Sequence, residues 1–332
     1  MTTNSRNMIR VLAIVAVLGL LLAATPYGAR AQQYPVKPIR IIVGFPPGGS
    51  VDLTARLIGE KLGPLLGQPI VVENRSGAAG RIADELVSRA TPDGYTLVYS
   101  VGSNLTLQKY LSKSPATDPL KDLTPVATAV LSVNVVAVGQ SHPATSLTQL
   151  FDLARRNPGK LTCSTSGIAS YHHLIGELLK HQHGIDLLQV PYKGTGPALT
   201  ALLTGEVDAA LINFATALAQ VKAGKVRVLA VVESDRFPET PDIPAIREVL
   251  PGFKAPPSWF GFFGPAGLPN SIALTLNSEI TKVLQMPEVS AKIRAAYLNV
   301  LITPPDRLRP FIEETADTVG AIVKSAGIQP TD

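Results

Sequence analysis

The chain has 332 residues, 45% hydrophobic and 17% charged, with a formal net charge of +5 at pH 7 and a single cysteine, Cys163. One cysteine excludes an intrachain disulfide, so the fold must rest on ordinary hydrophobic cores. With 5% aromatic residues and no basic run, the composition argues against a nucleic-acid partner.

The chain opens on an export signal. Arg6 and Arg10 precede an apolar run from Val11 to Ala24, and Ala29-Arg30-Ala31 fits a small-x-small cleavage site. The run is shorter than the ~20 residues of a membrane-spanning helix, and no cysteine follows it for lipid attachment. A signal peptide over 1–31, cleaved after Ala31, and a periplasmic mature protein with no direct membrane anchor are expected. The leader carries three arginines and no acid, so its loss lowers the formal charge to +2. The remaining ~300 residues suggest two domains.

Ile39–Phe45 reads as a buried strand, and Pro46-Pro47-Gly48-Gly49 ends it by removing donors and freeing the chain to turn. Leu53, Leu57, Ile58, Leu62 and Leu65 then recur at helical spacing, with Ser50 or Asp52 as the expected cap. A strand, a Gly-rich turn and a helix N-terminus aim unpaired N–H groups at one point, a geometry suited to an anion. Strands follow at Ile70–Glu73 and Tyr95–Ser100, around a helix over Ala79–Ala90. Val133–Val138 is continuously apolar, as in a central parallel strand.

Beyond it the pattern predicts helix Leu147–Arg156, strand Leu161–Cys163, helix Ser170–His183 and strand Gln189–Tyr192. A helix at Pro197–Thr204, strand Val207–Ile212, a helix at Ala215–Ala223 and strand Val226–Val232 complete the alternation. Eight prolines between Phe237 and Pro269 mark a connecting segment that carries one strand, Trp259–Gly264. Helices Asn270–Met286 and Pro305–Ser325 finish the chain.

In open α/β sheets ligands sit beyond the carboxyl ends of the strands, which directs attention to three further turns. Ser164-Thr165-Ser166-Gly167-Ile168-Ala169-Ser170 places four hydroxyls around a glycine at a helix N-terminus, more than capping by Ser170 requires. Pro191-Tyr192-Lys193-Gly194-Thr195-Gly196 adds a hydroxyl and two glycines that permit close backbone approach. Ser100-Val101-Gly102-Ser103-Asn104 repeats the theme. No nucleophile elbow, phosphate loop or dinucleotide fingerprint is present, so no cofactor is expected. His173, Glu177 and His181 recur at i, i+4 and i+8, but one ion spans two helical turns poorly, and the face reads as solvated. Cys163, in an apolar run, reads as a buried thiol.

Ordered blocks over the whole mature chain resemble the Bug family, extracytoplasmic solute receptors similar to the binding component of tripartite tricarboxylate transporters. They include Tyr34-Pro35-x-Lys37-Pro38-Ile39-Arg40, Phe45-Pro46-Pro47-Gly48-Gly49-x-x-Asp52, Val72-Glu73-Asn74-Arg75-x-Gly77-Ala78 and Pro92-Asp93-Gly94-Tyr95. Ser166-Gly167-x-x-Ser170-x-His172, Val190-Pro191-Tyr192-Lys193-Gly194 and Ser258-Trp259-Phe260-Gly261 extend the match.

The resemblance implies a type II periplasmic-binding-protein-like α/β fold. Each of its two lobes is a mostly parallel sheet flanked by helices, with the ligand cleft between them. Residues 33–132 would form the first part of lobe 1, 133–254 lobe 2, and 255–332 the return to lobe 1. It implies capture of a small organic acid and delivery to the permease subunits of a tripartite transporter. The alternatives are a receptor for a membrane signalling protein and a cofactor-free enzyme using the same cleft. Carried over, the expected ligand-binding residues are Phe45, Gly48, Gly49, Asp52, Ser103, Ser166, Gly167, Ser170, His172, Tyr192, Thr195 and Asn213. The family commonly has a cleft-facing aspartate where this chain has Ile212, which favours a ligand without an amino group.

Overall fold

The structure, a computed structural model, describes Met8 and residues 34–113 and 117–330. The expected signal peptide and its cleavage site lie outside the described residues, Met8 apart. Both sheets lie in the unit that runs from Lys37 on. Among the described residues no helix is long and apolar enough to cross a membrane.

The chain runs β1 (Ile39–Val43), α1 (Ser50–Leu66), β2 (Ile70–Asn74), a 3-10 turn at Ala78–Gly80, α2 (Arg81–Ser88), β3 (Thr96–Val101), α3 (Gly102–Leu111) and β4 (Leu123–Ser132). It continues through β5 (Asn134–Gly139), α4 (Leu147–Arg156), β6 (Thr162–Thr165), α5 (Tyr171–His183), β7 (Leu188–Pro191), α6 (Thr195–Thr204), β8 (Ala209–Asn213), α7 (Phe214–Lys222) and β9 (Val226–Val231). After a short α8 (Ile246–Val249) come β10 (Trp259–Pro265), α9 (Asn270–Gln285), α10 (Pro287–Ala295), β11 (Leu298–Val300) and α11 (Pro305–Ser325).

Two sheets result, ordered β11-β4-β10-β3-β1-β2 and β7-β6-β8-β5-β9. Both are mixed, and in each four strands run one way, in keeping with the expectation of mostly parallel sheets. β1 pairs in parallel with β2 and β3, but β10 is antiparallel to β3 and β4. β5, expected to be parallel, is antiparallel to both of its neighbours, β8 and β9. The cause is the route of the chain. It leaves the first sheet at the carboxyl end of β4 and, after Val133 alone, enters the second, so β5 starts where its neighbours end. The return through residues 232–258 likewise feeds β10 into the first sheet from the cleft side. An all-apolar strand reads the same in either direction, so periodicity could not reveal this.

β5 is buried on both faces. Val136 and Val138 pack with Leu150, Phe151, Leu174 and Leu178, while Val135 and Ala137 pack with Ala198, Leu202, Phe214 and Ala217 on the other side. The first sheet's core gathers Ile42, Val98, Leu105, Trp259, Phe263 and Ile312. β4, α3, α10 and β11 are additional to the sequence reading. Pro125 hid β4, because a proline argues against a central strand; here it pairs Phe263 beside a register shift, where a missing donor is tolerated.

Candidate ligand-binding site

The turn after β1 is built around Asp52. Gly48 takes φ 85°, a conformation that glycine adopts without strain, and its N–H donates to Asp52 Oδ2 at 2.9 Å. Asp52 Oδ1 accepts from Arg56 Nε and Asn74 Nδ2, each at 2.9 Å, and Asn74 Nδ2 also donates to the Phe45 carbonyl. Burial pushes the Asp52 carboxyl up, but hydrogen bonds from Arg56, Gly48 and Asn74 outweigh it and hold the group below its ordinary value. Asp52 thus braces the turn from behind. Neither it nor Ser50 caps α1: the N-cap is Gly49, which has no side chain to offer. The first N–H groups of α1 remain uncapped by any side chain.

The same holds for α6, whose N-cap is Gly194. Gly194 sits at φ 120°, and a Cβ there would stand 3.2 Å from Pro46 and 3.3 Å from Phe45 across the cleft. Its glycine therefore serves the approach of one lobe to the other. A narrow cavity of about 20 Å³ lies between these turns, room for about one water molecule. Of the expected residues, Phe45, Gly49, Ser166, His172, Thr195 and Asn213 line it.

The other six stand elsewhere. Gly48 and Asp52 form the brace. Ser103 lies in the first turn of α3, fully buried and away from the cavity wall; α3 follows Val101 directly, without the expected loop. Ser170 caps α5, accepting from the His173 N–H at 3.2 Å. Gly167 and Tyr192 line a second inter-lobe pocket of about 430 Å³ with Arg81, Gln108 and Lys193, and the Tyr192 hydroxyl donates to Glu206. Ile212 packs in the core beside Phe214 and Ala217, not toward the cleft.

The cavity also draws on Gly196, from the turn expected to approach a ligand, and on Ser50, Asn104, Tyr171, Ser258 and Phe260, which sequence reasoning did not single out as ligand contacts. From sequence, Ser50 has the signature of a helix cap, and Ser258 and Phe260 belong to a block of the family resemblance. None of the described lining residues is acidic, lysine or arginine.

A buried polar chain backs the wall. Ser166 Oγ lies 2.7 Å from His172 Nδ1, and His172 Nε2 lies 3.0 Å from Asn134 Oδ1. Asn213 Nδ2 donates to Asn134 Oδ1 and to Ser132 Oγ, and Asn213 Oδ1 accepts from Ser50 Oγ at 3.0 Å. Burial drives the His172 pKa down to about 3, so the ring is neutral. Bonds that cross between lobes include Ser50 to Asn213 and the Tyr171 N–H to Asn104 Oδ1 at 2.9 Å.

Residues 54–328 match the family model described as "Tripartite tricarboxylate transporter family receptor". The chain belongs to this family. It is 35% identical to Protein BugT of Bordetella pertussis, over 97% of this chain and 98% of that one. Two solved structures at 31% identity share the fold. One is R. palustris Rpa4515 with adipate (TM-score 0.85, covering 90% of this chain and 100% of that one). The other is MatC from Rhodopseudomonas palustris with bound malate (TM-score 0.82, covering 87% and 100%). Further structural neighbours are a periplasmic transporter and the periplasmic binding protein BugD, and the two neighbours with adipate and malate hold carboxylates.

Proposed function

We propose that this protein is a periplasmic receptor that closes its lobes on a small organic carboxylate and delivers it to the permease subunits of a tripartite transporter. One observation carries the reading: the uncapped N-termini of α1 and α6, from different lobes, line one cavity that has no acidic, lysine or arginine side chain among its described lining residues. Helix dipoles and free N–H groups favour an anion there without a fixed counter-charge. The family's receptors and the carboxylates of the two neighbours support the same chemistry. With room for about one water between the walls, an acid enters when the lobes part.

The enzyme alternative has one point in its favour, since Ser166, His172 and Asn134 are connected like a hydrolytic triad. Two features oppose it. An imidazole of pKa about 3 has little drive to take the serine proton, and Asn134 supplies an amide where a carboxylate would stabilise imidazolium.

The test is a thermal-shift and calorimetric series of carboxylic acids against their neutral amides. Acids at a hundredfold their Kd should add about 2.7 kcal/mol of stability. Amides lose charge-assisted bonds worth about 1.5–3 kcal/mol each, and should bind at least tenfold more weakly. Equal affinity for acid and amide sinks the proposal.

A further inference from the structure

The buried chain behind the cavity determines which atoms carry its protons. The Ser132 carbonyl can only accept, and it lies 3.1 Å from one end of the Asn134 amide, which is therefore Nδ2. The same nitrogen donates to Glu233 Oε1 at 3.0 Å. Asn134 Oδ1 then faces His172 Nε2 and Asn213, so both partners must present N–H groups to it. For neutral His172, a proton on Nε2 leaves Nδ1 bare, and Nδ1 accepts the proton of Ser166. On the other branch, Asn213 turns its nitrogen to Asn134 and Ser132, so its oxygen takes the proton of Ser50. Both serines give their only hydrogen to the protein. The Ser50 bond to Asn213 spans the two lobes and parts with them, whereas the Ser166 bond to His172 lies within one lobe and persists. What Ser166 turns to the cavity is therefore lone pairs.

We infer that Ser166 acts as a hydrogen-bond acceptor toward the ligand, so that the preferred carboxylate is a hydroxy acid whose hydroxyl donates to it. The reading rests on the carboxylate receptor proposed above and deepens it. A carboxylate oxygen set against Ser166 would meet lone pair with lone pair, and must instead seek the backbone N–H groups of α1 and α6. An ammonium would also donate, but no acidic side chain lines the described cavity to balance its charge. An uncharged hydroxyl needs no such partner. Ser166 is thus a specificity-determining residue, and His172 positions its proton.

The experiment is isothermal titration of the purified mature protein with matched pairs that differ by one hydroxyl. The pairs are malate and succinate, 2-hydroxyglutarate and glutarate, lactate and propionate, and citrate and tricarballylate. In the pair that binds best, the hydroxy acid should bind at least tenfold more tightly. Ser166→Ala should reduce that ratio below threefold, and Ser166→Thr should retain the preference. His172→Phe releases the serine proton to the cavity and should also abolish the preference; cooperative unfolding checks that each variant folds. Equal binding within the best pair overturns this inference and leaves the receptor reading standing. So does a Ser166→Ala variant that weakens both members alike. If amides bind as tightly as acids, the receptor reading fails first and this inference with it.

Discussion

Asp84, in the first turn of α2, has no exposed surface, and neither of its oxygens finds a well-formed hydrogen bond. Burial raises its pKa to about 7, with Ser100 offsetting part of the rise. The linkage follows from proton counts. Between about pH 4 and 7 the folded state holds a proton that the unfolded state has lost, so this residue's contribution falls as pH rises through that window. At about 1.4 kcal/mol per unit the shift amounts to roughly 4 kcal/mol by pH 8. An amide cannot ionise, though its extra N–H needs a partner. Asp84→Asn should therefore be more stable relative to the parent at pH 8 than at pH 4.5, by about 2–4 kcal/mol in urea unfolding. A difference that does not vary with pH would mean that the carboxyl is solvated.

At the scale of elements, the site is made by helix ends. Gly49 lies at φ −78° and ψ 166°, open to any residue, and a Cβ there would stand 3.8 Å from Thr195 Oγ1 of the other lobe. Gly49→Val should then act through space and not through backbone strain, its methyl groups entering the gap between α1 and α6. We expect binding of the best acid to fall more than tenfold by calorimetry. The stability loss should stay near 1 kcal/mol, the usual cost of an aliphatic residue at an N-cap. Ser170→Ala is the control from the same cleft region. It removes the α5 cap, also worth about 1 kcal/mol, yet lies off the cavity wall and should leave affinity within threefold. Normal binding by Gly49→Val would detach the first turn from the ligand.

For the whole molecule, closure rests on few polar bonds. Asn104, on α3, accepts from the Tyr171 N–H at the start of α5 and donates to the Ala79 carbonyl at 3.1 Å. It ties the N-terminus of a helix under one sheet to an element of the other. Such a bond contributes about 1 kcal/mol. Asn104→Ala should therefore weaken affinity about fivefold, with the acid-to-amide ratio unchanged, because the loss falls on closure and not on anion recognition. Small-angle scattering at a fixed, sub-saturating ligand concentration should show a larger radius of gyration in the variant. An unchanged radius with reduced affinity would assign Asn104 to direct ligand contact.

Local order was already present in the sequence. Gly-Pro punctuation, β-branched runs and helical periodicity are short-range signals, so β1, α1, α4 and α5 are legible to within a few residues, as is the turn at Gly48-Gly49. Cys163 is likewise the buried thiol its neighbours implied. Strand direction was not legible, because β5 is buried on both faces and its pattern is the same whichever way it runs. Nor were the roles of Ser50, Asn104 and Asp52. A serine beside a helix start reads as a cap from sequence, and only the approach of Asn213, 163 positions along the chain, turns Ser50 into part of the cavity wall. Ile212 and Asn213 show the same limit. Adjacent strand residues point to opposite faces, and which face meets the cleft is determined by how two sheets pack, a contact between segments far apart in the chain that no local pattern encodes.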